Sequence, residues 1–212
     1  MMYINDIKPI DSKKALLVID GEPRFRLYKA ELKRYHLVKD IDISAELYED
    51  IRYSVIKPRC LNRSMHLLSS RDYTEYKLRE KLLRADYPED IIDIVMDELI
   101  SYGYIDDFRY AKQFIDYRKD SMSIKTISSK LMLKGISKDV IDLAIDELSS
   151  TGIDLLATEK KAAYKDMSKK LKRMKNYEDD AKAESKLISY MLSKGYSYDT
   201  VRNLIATMSS ER

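Results

Sequence analysis

Residues 131–141 read LMLKGISKDVI, and the same string of residue types stands twice more, as LLRADYPEDII at 82–92 and MLSKGYSYDTV at 191–201. Asp90, Asp139 and Asp199 align, at spacings of 49 and 60 residues. A recurrence on that scale marks a supersecondary unit that is strung along a chain. Each copy is an amphipathic run, a break and a second amphipathic run, so each reads as a helix–turn–helix junction.

Working outward, each junction belongs to a group of three helices. The first group is expected at 58–70, 72–85 and 88–102, the second at 107–119, 123–134 and 137–149, the third at 153–174, 178–194 and 197–209. Asp72 with Glu75 has the spacing of a capping box. Pro88 suits a first helical turn, where its missing N–H costs nothing. Asp106, Ser123 and Ser137 are cap candidates, and Gly103, Gly135 and Gly195 are stop signals. Ile91, Ile92, Val95, Met96 and Leu99 form one apolar stripe. Val140, Ile141, Ala144, Ile145 and Leu148 repeat it, as do Val201, Leu204, Ile205 and Met208. Tyr110, Phe114 and Tyr117 line a face of the helix before them.

The first 56 residues differ. They balance basic against acidic residues and contain the runs Ala15–Ile19 and Arg24–Tyr28 around Asp20-Gly21, a hairpin turn signal. Ser44 then opens a short helix carrying Leu47, Ile51 and Val55, with Pro58 near its exit. The expected fold is mainly α: a tandem, elongated array of three-helix, helix-turn-helix-like repeats behind a small β-containing N-terminal domain. The expected divisions are 1–56, 57–104, 105–152 and 153–212.

Composition bounds the function. Of 212 residues, 35% are charged and 44% hydrophobic, which suits a folded, helix-rich chain. The 17 tyrosines and absent tryptophan suit thin cores close to water. The lone Cys60 excludes an internal disulfide framework and reads as a small buried hydrophobe in a reducing compartment. The five-residue run Ala15–Ile19 is too short for a signal core or membrane span, so a cytoplasmic protein without a membrane partner is expected.

No catalytic constellation is present in the sequence. His36 and His66 have no ligand-like neighbours at metal spacing. Five scattered glycines make no phosphate loop. Asp106-Asp107 is explained by capping and the helix dipole. A non-enzymatic protein with no metal or cofactor is the expectation.

Charge alternates along the chain. Residues 57–86 carry a net +4, 88–107 carry −7, 109–138 carry +6, 139–159 carry −6 and 160–175 carry +7. The basic blocks supply the candidate contact residues. They are Arg71, Lys77, Arg79, Lys81 and Arg84 in the first group, and Arg109, Lys112, Arg118, Lys125, Lys130 and Lys134 in the second. In the third, Lys165, Lys169 and Arg173 stand among Lys160, Lys161, Lys170, Lys172 and Lys175. Such clusters attract phosphate backbones through counterion release, and they dock equally on acidic protein surfaces. Without zinc-finger cysteines, basic-zipper heptads or an RNA-stacking signature, sequence-specific base recognition is not indicated.

One segment carries a family resemblance. Gly103-Tyr104-Ile105-Asp106-Asp107-Phe108-Arg109-Tyr110-Ala111 resembles the GYLDDxRFA signature of the RecX family, regulators of the RecA recombinase. Arg71-Asp72-Tyr73-Thr74 with Leu78, Lys81 and Leu82 resembles its R-x-x-S-x-x-E-L-x-x-K-L segment, departing from it at Tyr76-Lys77-Leu78. Leu131–Ile136 resembles its L-x-x-K-G-I, and the last repeat follows by pattern. The resemblance implies a monomeric protein that docks its basic repeats in the groove of a RecA–DNA filament and inhibits ATP hydrolysis, strand exchange or filament growth. Within the signature, Tyr104 and Ile105 are expected to fill a core, and Asp106 to cap. Weak, non-specific binding of single- or double-stranded DNA is expected beside the filament contact. The alternative is a helical-repeat protein that binds DNA directly and non-specifically, without a filament partner.

Overall fold

Asp20 and Gly21 both take positive φ, 51° and 81°, and close the expected hairpin. Two consecutive left-handed residues give the turn whose twist matches that of the flanking strands. The computed structural model describes residues 1–174 and 181–210 and contains two compact units, Met1–Ile105 and Asp106–Arg212. Lys175, the start of the helix expected at 178–194 and the end of the division expected at 153–212 fall outside the described residues.

In the first unit, β1 (Met2–Pro9), β2 (Lys14–Ile19), β3 (Glu22–Tyr28) and β4 (Ile41–Ile43) form an antiparallel sheet of order β3-β2-β1-β4. The short α1 (Lys29–Arg34) follows β3. Ser44 Oγ accepts the Leu47 N–H at 3.1 Å and starts α2 (Ala45–Ile51). That helix does not end. One wide π turn, Arg52–Ile56, carries it into α3 (Lys57–Leu68). The wide turn moves aside the carbonyl that the Pro58 ring would meet in a regular helix. The sequence changes character at residue 57, but the backbone has no break there.

The remaining helices are α4 (Glu75–Leu83), α5 (Glu89–Ser101), α6 (Asp107–Arg118), α7 (Ile124–Met132), α8 (Lys138–Ser150), α9 (Leu155–Leu171), α10 (Ala181–Ser193) and α11 (Tyr198–Ser210). The three junctions α4–α5, α7–α8 and α10–α11 close with the same pair of backbone bonds. The N–H groups of Asp86, Gly135 and Gly195 reach Leu83, Met132 and Leu192 carbonyls at 2.9 Å each. The next N–H groups, of Tyr87, Ile136 and Tyr196, reach Leu82, Leu131 and Met191 carbonyls at 3.3, 3.2 and 3.3 Å. This pairing is the Schellman stop, which needs a left-handed residue. The φ values are 58° at Asp86, 89° at Gly135 and 84° at Gly195.

Asp106, Ser123 and Ser137 cap α6, α7 and α8 as expected, accepting N–H groups at 2.8, 3.2 and 3.3 Å. The cap of α4 is Thr74, not Asp72: its hydroxyl accepts the Lys77 N–H at 3.3 Å, and the helix starts at Glu75. Pro88 likewise stands one residue ahead of α5 rather than within its first turn.

One apolar core fills the first unit, running from Ile4, Leu17 and Phe25 of the sheet through Ile56 and Cys60 to Leu78, Leu82 and the α5 stripe. All five stripe residues of α5 are buried. In α8, Ile141, Ala144 and Leu148 are buried, with Val140 and Ile145 at the rim. In α11, Val201 is buried, with Leu204, Ile205 and Met208 packed on it. Ala111 and Ile115 are the buried residues of α6, Tyr110 and Phe114 pack partly buried against the same core, and Tyr117 is 77% exposed. Ile105 is buried, whereas Tyr104 is half exposed and fills no core.

Within the second unit, the α7 cap also grips the turn after α10. Ser123 Oγ and Thr126 Oγ1 each donate to the Lys194 carbonyl at 2.7 Å. The Ile124 N–H reaches Glu159 at 3.1 Å, and Lys161 pairs with Asp120 at 3.6 Å. Among the described residues, no helix is long and apolar enough to cross a membrane.

Candidate basic interface

The charge alternation turns out to be consumed partly inside each group. Acidic α5 faces basic α3 and α4: Lys57 pairs with Glu98 at 3.3 Å, Arg79 with Asp93, and Arg52, in the π turn, with Asp90. In the second group Lys112 on α6 meets Glu147 on α8 at 3.1 Å. In the third, Arg202 meets Glu184 at 3.0 Å. These pairs are at least partly open to water and contribute about 1 kcal/mol each at most, but they neutralise the cations they hold.

The candidates therefore separate. On α4, Lys77 pairs with Glu80 at 3.0 Å, Arg84 pairs with the same carboxylate, and Arg79 also holds Glu75 at 3.4 Å. Opposed by two cations, Glu80 has its carboxyl pKa lowered, first by the Lys77 hydrogen bond. Arg71 lies over the Tyr73 ring at 4.8 Å. Lys81, Lys125, Lys130, Lys165, Lys169 and Arg173 are exposed and make no ion pair among the described residues. Arg109 is exposed beside the Asp106 cap.

The α9 cations are ordered by the helix itself. Lys161, Lys165 and Lys169 recur every fourth residue, so they share one face, and Arg173 follows just beyond the helix end. Like charges at that spacing repel by roughly 0.2–0.5 kcal/mol per pair. Asp120 offsets only Lys161. On α6 the arrangement is different. Tyr110 and Phe114 stack at 6.4 Å, Lys134 lies over both rings at 5.5 and 5.7 Å, and Arg118 lies 4.9 Å from Tyr117 and 5.9 Å from Phe114. These rings hold Arg118 and Lys134 without discharging them. The Arg118 Nε is buried and has no hydrogen-bond acceptor among the described residues.

Among the described residues, no group of three metal-ligating side chains converges. Cys60 is buried, and burial pushes its thiol up to about 12, so it is no nucleophile at neutral pH.

Comparison with known proteins decides the family. Residues 60–99 match the profile described as "RecX, first three-helix domain", and residues 158–205 that of "RecX, third three-helix domain". Regulatory protein RecX of Mycobacterium ulcerans is 32% identical over 151 residues, which span 70% of this chain and 84% of that protein. The chain belongs to the RecX family. Regulatory protein RecX of Clostridium beijerinckii is 29% identical over 94% of this chain and 92% of its own length. Two solved RecX structures share the fold. One has a TM-score of 0.66 at 20% identity and covers 97% of this chain and 100% of its own. The other, from Lactobacillus salivarius, has a TM-score of 0.61 at 22% identity, covering 74% and 98%.

In this RecX-family chain the third group, legible in the sequence only as a pattern, carries a matching profile of its own. Two features escaped sequence reasoning. The aromatic bracing of Arg118 and Lys134 joins two helices, although Tyr110, Phe114 and Arg118 at every fourth position already trace one stripe. The pairing of Arg79 with Asp93 depends on which helix faces which, and no spacing within α4 reveals it.

Proposed function

We propose that this protein regulates a RecA recombinase by binding its nucleoprotein filament in the groove and lowering ATP hydrolysis, strand exchange and filament growth. Membership of the RecX family supports a regulatory role. The observation that carries the polyanion contact is the α9 face of Lys161, Lys165 and Lys169, whose mutual repulsion is answered, among the described residues, at one end only. A partner bearing closely spaced negative charge relieves that repulsion and releases counterions as it binds. The protein acts by occupancy, as a monomer on the filament, with no bond made or broken.

The test is phosphate release from RecA, single-stranded DNA and ATP. Substoichiometric protein depresses hydrolysis if the reading holds, and an unchanged rate at equimolar protein overturns it. Tight binding to naked DNA at physiological salt, with RecA unaffected, selects the non-specific DNA-binding alternative instead.

A further inference from the structure

The first unit holds a cleft of about 530 Å³ between the sheet, α3 and the α4–α5 turn, within the size range of small-ligand sites. Neither the repeat pattern nor the lysine face of α9 accounts for it. Its lining is electrostatically one-sided. Lys14, Arg26, Arg59 and Arg63 face a single carboxylate, Asp86, and that carboxylate is already paired with Arg26.

The cations are combined with flat rings. Two cations approach Tyr28: Lys14 Nζ is 5.2 Å from the ring centroid and the Arg59 guanidinium 4.9 Å. Arg59 is fixed from behind: it donates to the Arg26 carbonyl at 2.7 Å and to the Glu31 carboxylate. Tyr87, on the other wall, donates its hydroxyl to the Arg59 carbonyl at 3.4 Å, and burial raises its pKa, so it stays protonated. Arg63 is exposed and has no ion-pair partner among the described residues.

This set matches one ligand chemistry better than its rivals. A simple anion needs the cations but not the rings, and an acidic peptide offers no flat face to stack. A nucleotide uses both, because every base has a π-face and every phosphate a charge. We propose that this cleft binds a nucleotide, free or as one unit of a single strand, with the base against Tyr28 and Tyr87 and the phosphate against Arg63 and Lys14. The proposal stands on the first unit alone and does not depend on the recombinase reading.

Photocrosslinking of the full-length protein to a short oligothymidylate carrying one 5-iodouracil, with peptide mapping, tests it. Crosslinks are expected at Tyr28 or Tyr87. Arg63→Glu is expected to weaken them about tenfold, as for a lost hydrogen bond to a charged group. Lys39→Glu, an exposed charge reversal in the same unit but outside the cleft, is expected to leave them intact. Competition by thymidine 5′-monophosphate identifies a free nucleotide as the occupant, and competition by oligonucleotide alone identifies a strand; either supports the cleft. Crosslinks confined to residues 106–212 overturn it. So does displacement by poly-glutamate with nucleotides inert, which marks an acidic-peptide site. RecA ATPase activity is not read in any arm, so failure of the filament reading leaves this result unaffected.

Discussion

Arg26 of β3 is paired with Asp86, the residue that occupies the left-handed stop of the first helix–turn–helix junction where Gly135 and Gly195 occupy the other two. A side chain in that conformation costs about 1–2 kcal/mol, least for Asp and Asn. Here the carboxylate gains a partner on the sheet. Both side chains are about half exposed, 47% and 52%, so the pair returns only part of that cost. Asp86→Gly is therefore expected to lie within about 0.5 kcal/mol of the parent, trading the pair for relaxed backbone. Asp86→Ala, which loses the pair and keeps the strain, is expected to lose about 1 kcal/mol. Urea unfolding of both variants checks the order, and an alanine variant as stable as the glycine variant would contradict it.

Gly195 carries a second constraint. A Cβ there would stand 2.6 Å from Ser123 Oγ and 2.9 Å from Thr126 Oγ1, the two hydroxyls that grip the Lys194 carbonyl. Gly152 takes a similar φ, 87°, with nothing within 4 Å of such a Cβ. Gly152→Ala is expected to cost about 1 kcal/mol from backbone strain alone. Gly195→Ala should cost roughly 1–3 kcal/mol more, because at least one buried hydroxyl bond is lost. Equal melting-temperature shifts in the two variants would remove the α7 contact from the account.

Cys60 offers a pH test. Burial moves its thiol from 9.0 to about 12, so folding favours the neutral form. The contribution is complete below pH 9 and is lost as pH rises toward 12, because only the unfolded chain ionises in that window. Unfolding free energy measured between pH 8 and 10.5 is expected to fall, and to fall less steeply in Cys60→Ala. At pH 8 a thiol reagent should label the protein in urea and leave the folded protein unlabelled for minutes.

Charge reversal probes the basic faces. Lys125→Glu, Lys130→Glu and Lys134→Glu together are expected to weaken polyanion or filament binding and to reduce the slope of log affinity against log salt by about 0.9 per lost phosphate contact. Helicity by circular dichroism should not change, since Lys125 and Lys130 make no ion pair among the described residues. Full inhibition by the triple variant would place the contact elsewhere.

Much of the fold is legible in local chemistry. Asp20-Gly21 specifies its hairpin, Ser123 and Ser137 specify helix starts, and the α5 stripe specifies its buried side. The first strand is harder to read. Its sequence MYINDIKP is interrupted by a register shift between Ile4 and Asp6, which spoils the period of two, and β4 has only three residues. Tyr104 and Tyr117 count as apolar in a pattern but keep their rings in water. The candidate surface is legible as composition only. Which cations remain uncompensated depends partly on carboxylates brought from other helices, Asp93 to Arg79 and Glu147 to Lys112, and that depends on packing.

The unbroken passage from α2 through the π turn into α3 makes the first helical repeat inseparable from its leader. Cys60 and Ile56 belong to the same apolar cluster as Ile4 and Phe25. A chain trimmed to begin at Lys57 would lose the front half of that rod together with the sheet residues that share one apolar cluster with Leu78 and Leu82. In grafting or swapping experiments, the smallest portable module at this end is the whole of residues 1–105.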